Sequence, residues 1–185
     1  CSKSAIKRSS CLSLEPPSLS EATLLARESD LMKPRVLFVC LGNICRSPLA
    51  EGAFRREAAL IGLDAECDSA ATRDWHEGKG PDRRSVAIAR AHGVDISKQR
   101  ARALRPDDFH RFTHIVGMDG ANLKAIRAIA PAEHHAVLSR LLDHVPGRAG
   151  QDIADPWAGR ASDFAACWDD VLIGTVHLAQ TLQRG

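Results

Sequence analysis

The sequence predicts a single α/β domain, with a doubly wound, four-stranded parallel sheet and helices on both of its faces. Three observations carry this. From residue 33 onward, strand-like runs alternate with amphipathic stretches of helical period. The first of those runs, Val36-Leu37-Phe38-Val39, contains no polar residue, as a buried strand requires. And 185 residues with 44% hydrophobic content suffice for one ordinary core.

Taken in order, residues 35–39 form the first strand, and residues 48–61 a helix with Leu49, Phe54, Ala58 and Ile61 on one face. Residues 64–69 read as a second strand, and residues 83–92 as a helix ended by Gly93. A third strand is expected over 114–118, a helix over 120–129 closed by Pro131, and a fourth strand over 135–138. Residues 163–183 place Phe164, Trp168, Val171, Leu172, Thr175, Ala179 and Leu182 at helical spacing and make a long closing helix. No internal repeat is visible.

Residues 1–32 differ from the rest. They are rich in Ser, Lys and Glu, contain Pro16-Pro17, and lack the apolar core of a secretory signal. Their acidic residues argue against a mitochondrial presequence. We read them as a disordered leader, with Met32 as an alternative start and residues 33–185 as the functional domain.

Composition excludes several classes. A net charge of +2, with arginines scattered and no aromatic interleaving, does not describe a nucleic-acid binder. Apolar runs such as residues 36–41 are too short to span a bilayer, so no membrane partner is expected. Six cysteines with no C-x2-C pair match neither a disulfide framework nor a zinc site, and point to a reducing, cytoplasmic setting. The eight histidines are poorly spaced for a metal, and no metal or cofactor is expected.

The chemistry concentrates in Val39-Cys40-Leu41-Gly42-Asn43-Ile44-Cys45-Arg46-Ser47-Pro48. A strand ends at a thiol, a tight loop follows, and a guanidinium stands where a helix begins. Such a loop turns backbone N–H groups inward and adds a helix dipole, which suits a phosphate dianion. A thiolate at its base is aimed at phosphorus, and Arg46 offers a bidentate grip on the phosphoryl oxygens. Spacing alone is weak evidence, because Cys67 and Arg73 repeat it. Their loop contains no glycine and leads to no helix start, whereas Gly42 permits close approach, Asn43 tolerates the left-handed region and Ser47-Pro48 signals a helix start.

Ester cleavage also needs an acid for the leaving oxygen, on a loop that reaches the substrate. Asp155-Pro156-Trp157 fits, just before the last helix. Asp152 competes, but the proline and the adjacent aromatic favour Asp155.

These two segments resemble the phosphate loop and acid loop of the low-molecular-weight protein tyrosine phosphatases, of bacterial type. The resemblance extends through Asp68-Ser69-Ala70, residues 75–83, 92–95, 100–102 and 118–123, and so covers about residues 34–183. It implies a hydrolase that acts on tyrosine-phosphorylated proteins, a bacterial tyrosine kinase among them. Cys40 is then the nucleophile, Arg46 the phosphoryl ligand and Asp155 the acid. Leu41, Gly42, Asn43, Ile44, Cys45, Ser47, Trp75 and Trp157 become substrate-binding residues. It further implies that Asn43 and Ser69 shape the loop, that Ser47 bonds the Cys40 thiolate, and that Cys45 pairs reversibly with Cys40 under peroxide.

The chain departs from the family at Ala158, where a second aromatic is common, and at Gln99, where many members carry histidine. Three other readings compete. Arsenate reductases need two relay cysteines, and residues 112–142 contain none. Arginine phosphatases place threonine where this chain has Ile44. A non-catalytic phosphotyrosine reader would lack the nucleophile, the arginine or the acid.

Overall fold

In the computed structural model, residues 33–184 are described. The expected leader lies outside them. Four strands, β1 (Arg35–Cys40), β2 (Glu66–Ala71), β3 (His114–Gly117) and β4 (Val137–Arg140), pair in the order β2-β1-β3-β4, and every pairing is parallel. The helices are α1 (Arg46–Leu60), α2 (Arg83–Ala91), α3 (Asp108–Arg111), α4 (Gly120–Ile129) and α5 (Ala161–Arg184), with a 3-10 turn at Leu141–His144.

The alternation of side chains along β1 divides the core in two. Val36, Phe38 and Cys40 face one layer, packed with Leu49 and Phe54 of α1 and with Trp168, Val171 and Leu178 of α5. Leu37 and Val39 face the other layer, with Phe109 of α3, Phe112, Ile115 and Ile126 of α4. Helices therefore cover both faces, as predicted. Phe38 and Phe54, fully buried, meet with ring centroids 5.5 Å apart.

The expected elements occur, with shifts that pairing explains. β2 and β4 each begin two residues later than expected, because the ladder starts only where Glu66 N–H reaches the Pro34 carbonyl and Val137 N–H reaches that of Thr113. The four-residue α3 went unpredicted. His110 lies in α3 and His114 in β3, so the two do not share a helix face. Among the described residues no helix is long and apolar enough to cross a membrane, and no cluster of three His, Cys, Asp or Glu could hold a metal ion.

Strand order reverses direction between β1 and β3, and crevices at such switch points, beyond the strands' carboxyl ends, are where open α/β sheets bind ligands. The run from Cys40 to Arg46 leaves β1 at that point.

Candidate active site

The segment from Leu41 to Cys45 turns sharply into α1. Asn43 makes the turn possible by adopting φ 53°, and it is the one non-glycine residue with positive φ among those described. Its amide is fully used. Nδ2 donates to Ser47 Oγ and to Ser69 Oγ, both at 2.9 Å, while Oδ1 accepts from Arg102 N–H at 3.0 Å. Ser69 Oγ in turn donates to Glu51 Oε2 at 2.6 Å, and Glu51 pairs with Arg55. The buried Glu51 is thereby satisfied from both sides.

The same network aims donors at sulfur. Asn43 N–H donates to Cys40 Sγ at 3.2 Å, and Ser47 Oγ lies 3.0 Å from it. Ser47 Oγ accepts from Asn43, and its own proton has two acceptors within reach, the Ala70 carbonyl at 3.4 Å and, once Cys40 is a thiolate, the nearer sulfur. Two donors and the start of α1 suit a sulfur anion.

Arg46, 3% exposed, is gripped by three groups from two parts of the chain. Nη1 donates to Asp119 Oδ2 (2.5 Å) and to the Ile153 carbonyl (3.1 Å), and Nη2 to Asp155 Oδ2 (2.5 Å). Burial opposes its charge, but Cys40, Asp155 and Asp119 more than compensate and hold the guanidinium above its ordinary pKa. Arg46 Nε is buried and has no partner among the described residues. The Nε–Nη2 edge therefore faces Asp155 through one nitrogen only, and a phosphoryl group binding that edge bidentately would replace the carboxylate.

A cavity of about 340 Å³ opens over this arrangement. From the loop it is lined by Cys40, Leu41, Gly42, Ile44, Cys45 and Arg46. Trp75 and His76 contribute from the stretch after β2, and Asp155, Trp157 and Ala158 from the segment before α5. Trp75 and Trp157 are 63% and 58% exposed, which leaves broad aromatic faces available at the mouth. A Cβ on Gly42 would sit 2.9 Å from His76 Cδ2, so any larger residue there would have to push that ring aside.

Of the residues expected at the site, Asn43 and Ser47 are buried and engaged behind the loop, and they are not among the cavity's lining residues. Asp152 accepts from Gly120 N–H and from Arg140 and is not in the lining either, so of the two carboxylates Asp155 is the one at the cavity. Cys67 sits on β2 with its thiol pushed up to about 11, chiefly by burial, and its Sγ faces the Glu51 carbonyl. Gln99 does not join the Asn43 network. Its Nε2 donates to the Pro48 carbonyl at 3.3 Å, and Arg102 N–H serves Asn43 instead.

The cysteines differ in character. Cys45 lines the cavity, but burial, reinforced by Asp82 and Cys40, pushes its thiol up to about 12. Cys167, buried on α5, is likewise raised to about 12 by burial, with Arg46 acting in the opposite direction.

Sequence reasoning assigned no role to Asp119, Glu51 or His76. Asp119 carries a legible signal as the cap of α4, where its side chain accepts from Asn122 N–H, but its reach to Arg46 depends on the sheet.

Comparison with known proteins agrees with this geometry. Residues 35–185 match the family model described as low molecular weight phosphotyrosine protein phosphatase. A low molecular weight protein-tyrosine-phosphatase of Streptomyces coelicolor is 42% identical over 158 residues, covering 83% of this chain and 96% of the relative. The crystal structure of YfkJ from Bacillus subtilis superposes with TM-score 0.76 at 34% identity, covering 82% of this chain and 96% of that one. That of DARP, a Drosophila arginine phosphatase, does so with TM-score 0.74 at 28% identity, over 79% and 96%.

Proposed function

The chain belongs to the low molecular weight phosphotyrosine protein phosphatase family, and from that premise we propose that its residues 33–185 hydrolyse phosphotyrosine in proteins through a phosphocysteine on Cys40. The observation that carries this reading is the convergence on one cavity of a donor-flanked sulfur, a buried arginine and a carboxyl group held on that arginine.

In the first step the phosphoryl oxygens take the Nε–Nη2 edge of Arg46 and the loop's N–H groups. Asp155, displaced from Nη2, takes up a proton from solvent now that the guanidinium no longer holds it ionised, and turns to the bridging oxygen. Cys40 sulfur forms a bond to phosphorus, the P–O bond to the phenol breaks, and Asp155 gives its proton to the departing oxygen. In the second step water attacks phosphorus and loses its proton to the Asp155 carboxylate. The S–P bond breaks and the thiolate and inorganic phosphate are restored. Trp75 and Trp157 flank the aryl ring, with Ala158 leaving extra width on one side.

Two observations favour an aryl ester over the alternatives. Ile44 brings an apolar side chain to the cavity where a phosphoarginine enzyme would offer a hydroxyl. Cys167, the one described cysteine beyond the loop and β2, is a buried, neutral thiol poorly suited to passing on an oxidation, as arsenate reduction requires. The free thiols of Cys40 and Cys45 fit a reducing cytoplasmic setting, with a bacterial tyrosine kinase as one phosphorylated partner.

The test is turnover of a phosphopeptide panel at mildly acidic pH with chelator present. Phosphotyrosine should be hydrolysed and phosphoarginine and phosphoserine spared. Cys40→Ser should abolish turnover, and Asp155→Ala should slow it about a hundredfold or more. Preference for phosphoarginine, or equal rates in wild type and Asp155→Ala, would overturn the proposal.

A further inference from the structure

The acid-bearing segment has no regular secondary structure between residues 151 and 160, so its position depends on individual contacts. On its upstream side Ile153 N–H bonds the Met118 carbonyl at the end of β3, and the Ile153 carbonyl accepts from Arg46. On its downstream side Asp163 Oδ2 accepts from Arg160 N–H at 2.6 Å, and nearer the acid Arg84 does the equivalent work. Arg84 Nη2 donates to the Trp157 carbonyl at 3.0 Å, and Nη1 to the Gly159 carbonyl at 3.2 Å.

Arg84 is itself held by two side chains. Its Nε and Nη2 bond Asp82 Oδ1 and Oδ2 at 3.0 and 2.8 Å, a bidentate pair. Its guanidinium carbon lies 4.4 Å from the centroid of the Phe164 ring in α5. Asp82, whose side chain caps α2, reaches the phosphate loop through its backbone, where Asp82 N–H donates to the Ile44 carbonyl at 2.8 Å. A continuous path thus runs from Ile44 through Asp82 and Arg84 to Trp157.

Trp157 is the residue that matters at the end of this path. Its N–H donates to Asp155 Oδ1 at 3.1 Å, and its carbonyl is the one Arg84 holds. Fixing the backbone of Trp157 on one side fixes the donor that orients the carboxyl on the other. It also sets the Trp157 ring at the cavity. We infer that Arg84, outside the cavity, is a positioning residue for the acid step: it locks the loop carrying Asp155 and Trp157 to the phosphate loop. The inference rests on the assignment of Asp155 as the acid.

A positioning role for the acid has a signature that general structural damage lacks. Protonation matters for a poor leaving group such as phenol and little for a good one such as 2,4-dinitrophenol. The test measures kcat/KM, which reports the steps up to phenol departure, for phenyl phosphate and 2,4-dinitrophenyl phosphate in wild type, Arg84→Ala, Arg84→Lys and Asp155→Ala. Arg84→Ala should lose about tenfold on phenyl phosphate, less than the acid itself supplies, and under twofold on the dinitrophenyl ester. Inhibition by inorganic phosphate should stay within about twofold, since the cradle is intact, and Arg84→Lys should recover part of the loss. Should Arg84→Ala fail to fold, Asp82→Asn, which keeps a cap for α2, is read the same way and should show the same bias at smaller size.

A uniform loss on both esters, or no loss on phenyl phosphate, overturns the role of Arg84. Asp155→Ala separates this from failure of its premise. If that variant shows the leaving-group bias and the Arg84 variants do not, only the positioning role falls. If Asp155→Ala shows no bias, the acid assignment falls first.

Discussion

Substituting Asn43 by alanine and by glycine separates the two things this residue does. Its amide makes three hydrogen bonds, to Ser47, Ser69 and Arg102 N–H, and the residue is 1% exposed, so the partners lose them without easy access to water. At about 1 kcal/mol net each, their loss costs roughly 3 kcal/mol in either variant. The backbone at φ 53° adds a second cost for alanine only. At an ordinary loop position alanine is the more stable of the two by about 0.4–1 kcal/mol, and positive φ reverses that order. Asn43→Gly should therefore lose about 3 kcal/mol and Asn43→Ala about 4 kcal/mol. With about 2–4 °C per kcal/mol for a domain of this size, both midpoints should fall by roughly 10 °C, alanine's further. Paired denaturant and thermal unfolding curves supply the assay, with kcat/KM falling in both. An alanine variant as stable as the glycine variant, or either one within 1 kcal/mol of wild type, would refute the reasoning.

Arg46→Lys should lose about a hundredfold or more in kcat/KM, because an ammonium cannot supply the Nε–Nη2 edge, and inhibition by inorganic phosphate should weaken in parallel. Burial holds His114 and His144 below the ordinary imidazole pKa; His144 adds to the effect at His114, while Asp143 partly offsets it at His144. The unfolded chain then binds more protons, so stability should fall as pH drops through about 6.5, and a double His114→Asn, His144→Asn variant should show a shallower slope in unfolding titrations. Cys45, raised to about 12, is a neutral thiol near pH 7 and a poor nucleophile toward an oxidised Cys40. Disulfide formation after a peroxide pulse, followed by alkylation and mass spectrometry, should therefore accelerate steeply between pH 7 and 9, and Cys45→Ser should convert reversible inactivation into permanent loss.

Much of this site is readable in the chain because its central piece is local. Cys40, Gly42, Asn43, Arg46 and Ser47 fall within one strand–loop–helix unit, and their spacing carries the chemistry. What lies around them is assembled by topology. Asp119 stands 73 residues from Arg46 and meets it only because β1 and β3 are neighbours. Arg84 and Trp157 are likewise 73 residues apart. Helix α1 shows its apolar stripe of Leu49, Phe54 and Ala58 in the sequence, but not that Arg46, Ser47 and Glu51 are buried beside it, where they serve the loop. The four-residue α3 is too short for any periodicity to show.

The most direct measurement is to trap the enzyme during turnover of 2,4-dinitrophenyl phosphate, whose leaving group needs little help from an acid, in Asp155→Asn, where on this mechanism water's attack on the intermediate is left without its base. Phosphorus NMR and peptide mapping of the quenched protein should find phosphate bonded to sulfur at Cys40, and none in Cys40→Ser. Phosphate on any other residue, or undiminished turnover with no phosphorylated sulfur at any time, would contradict the account.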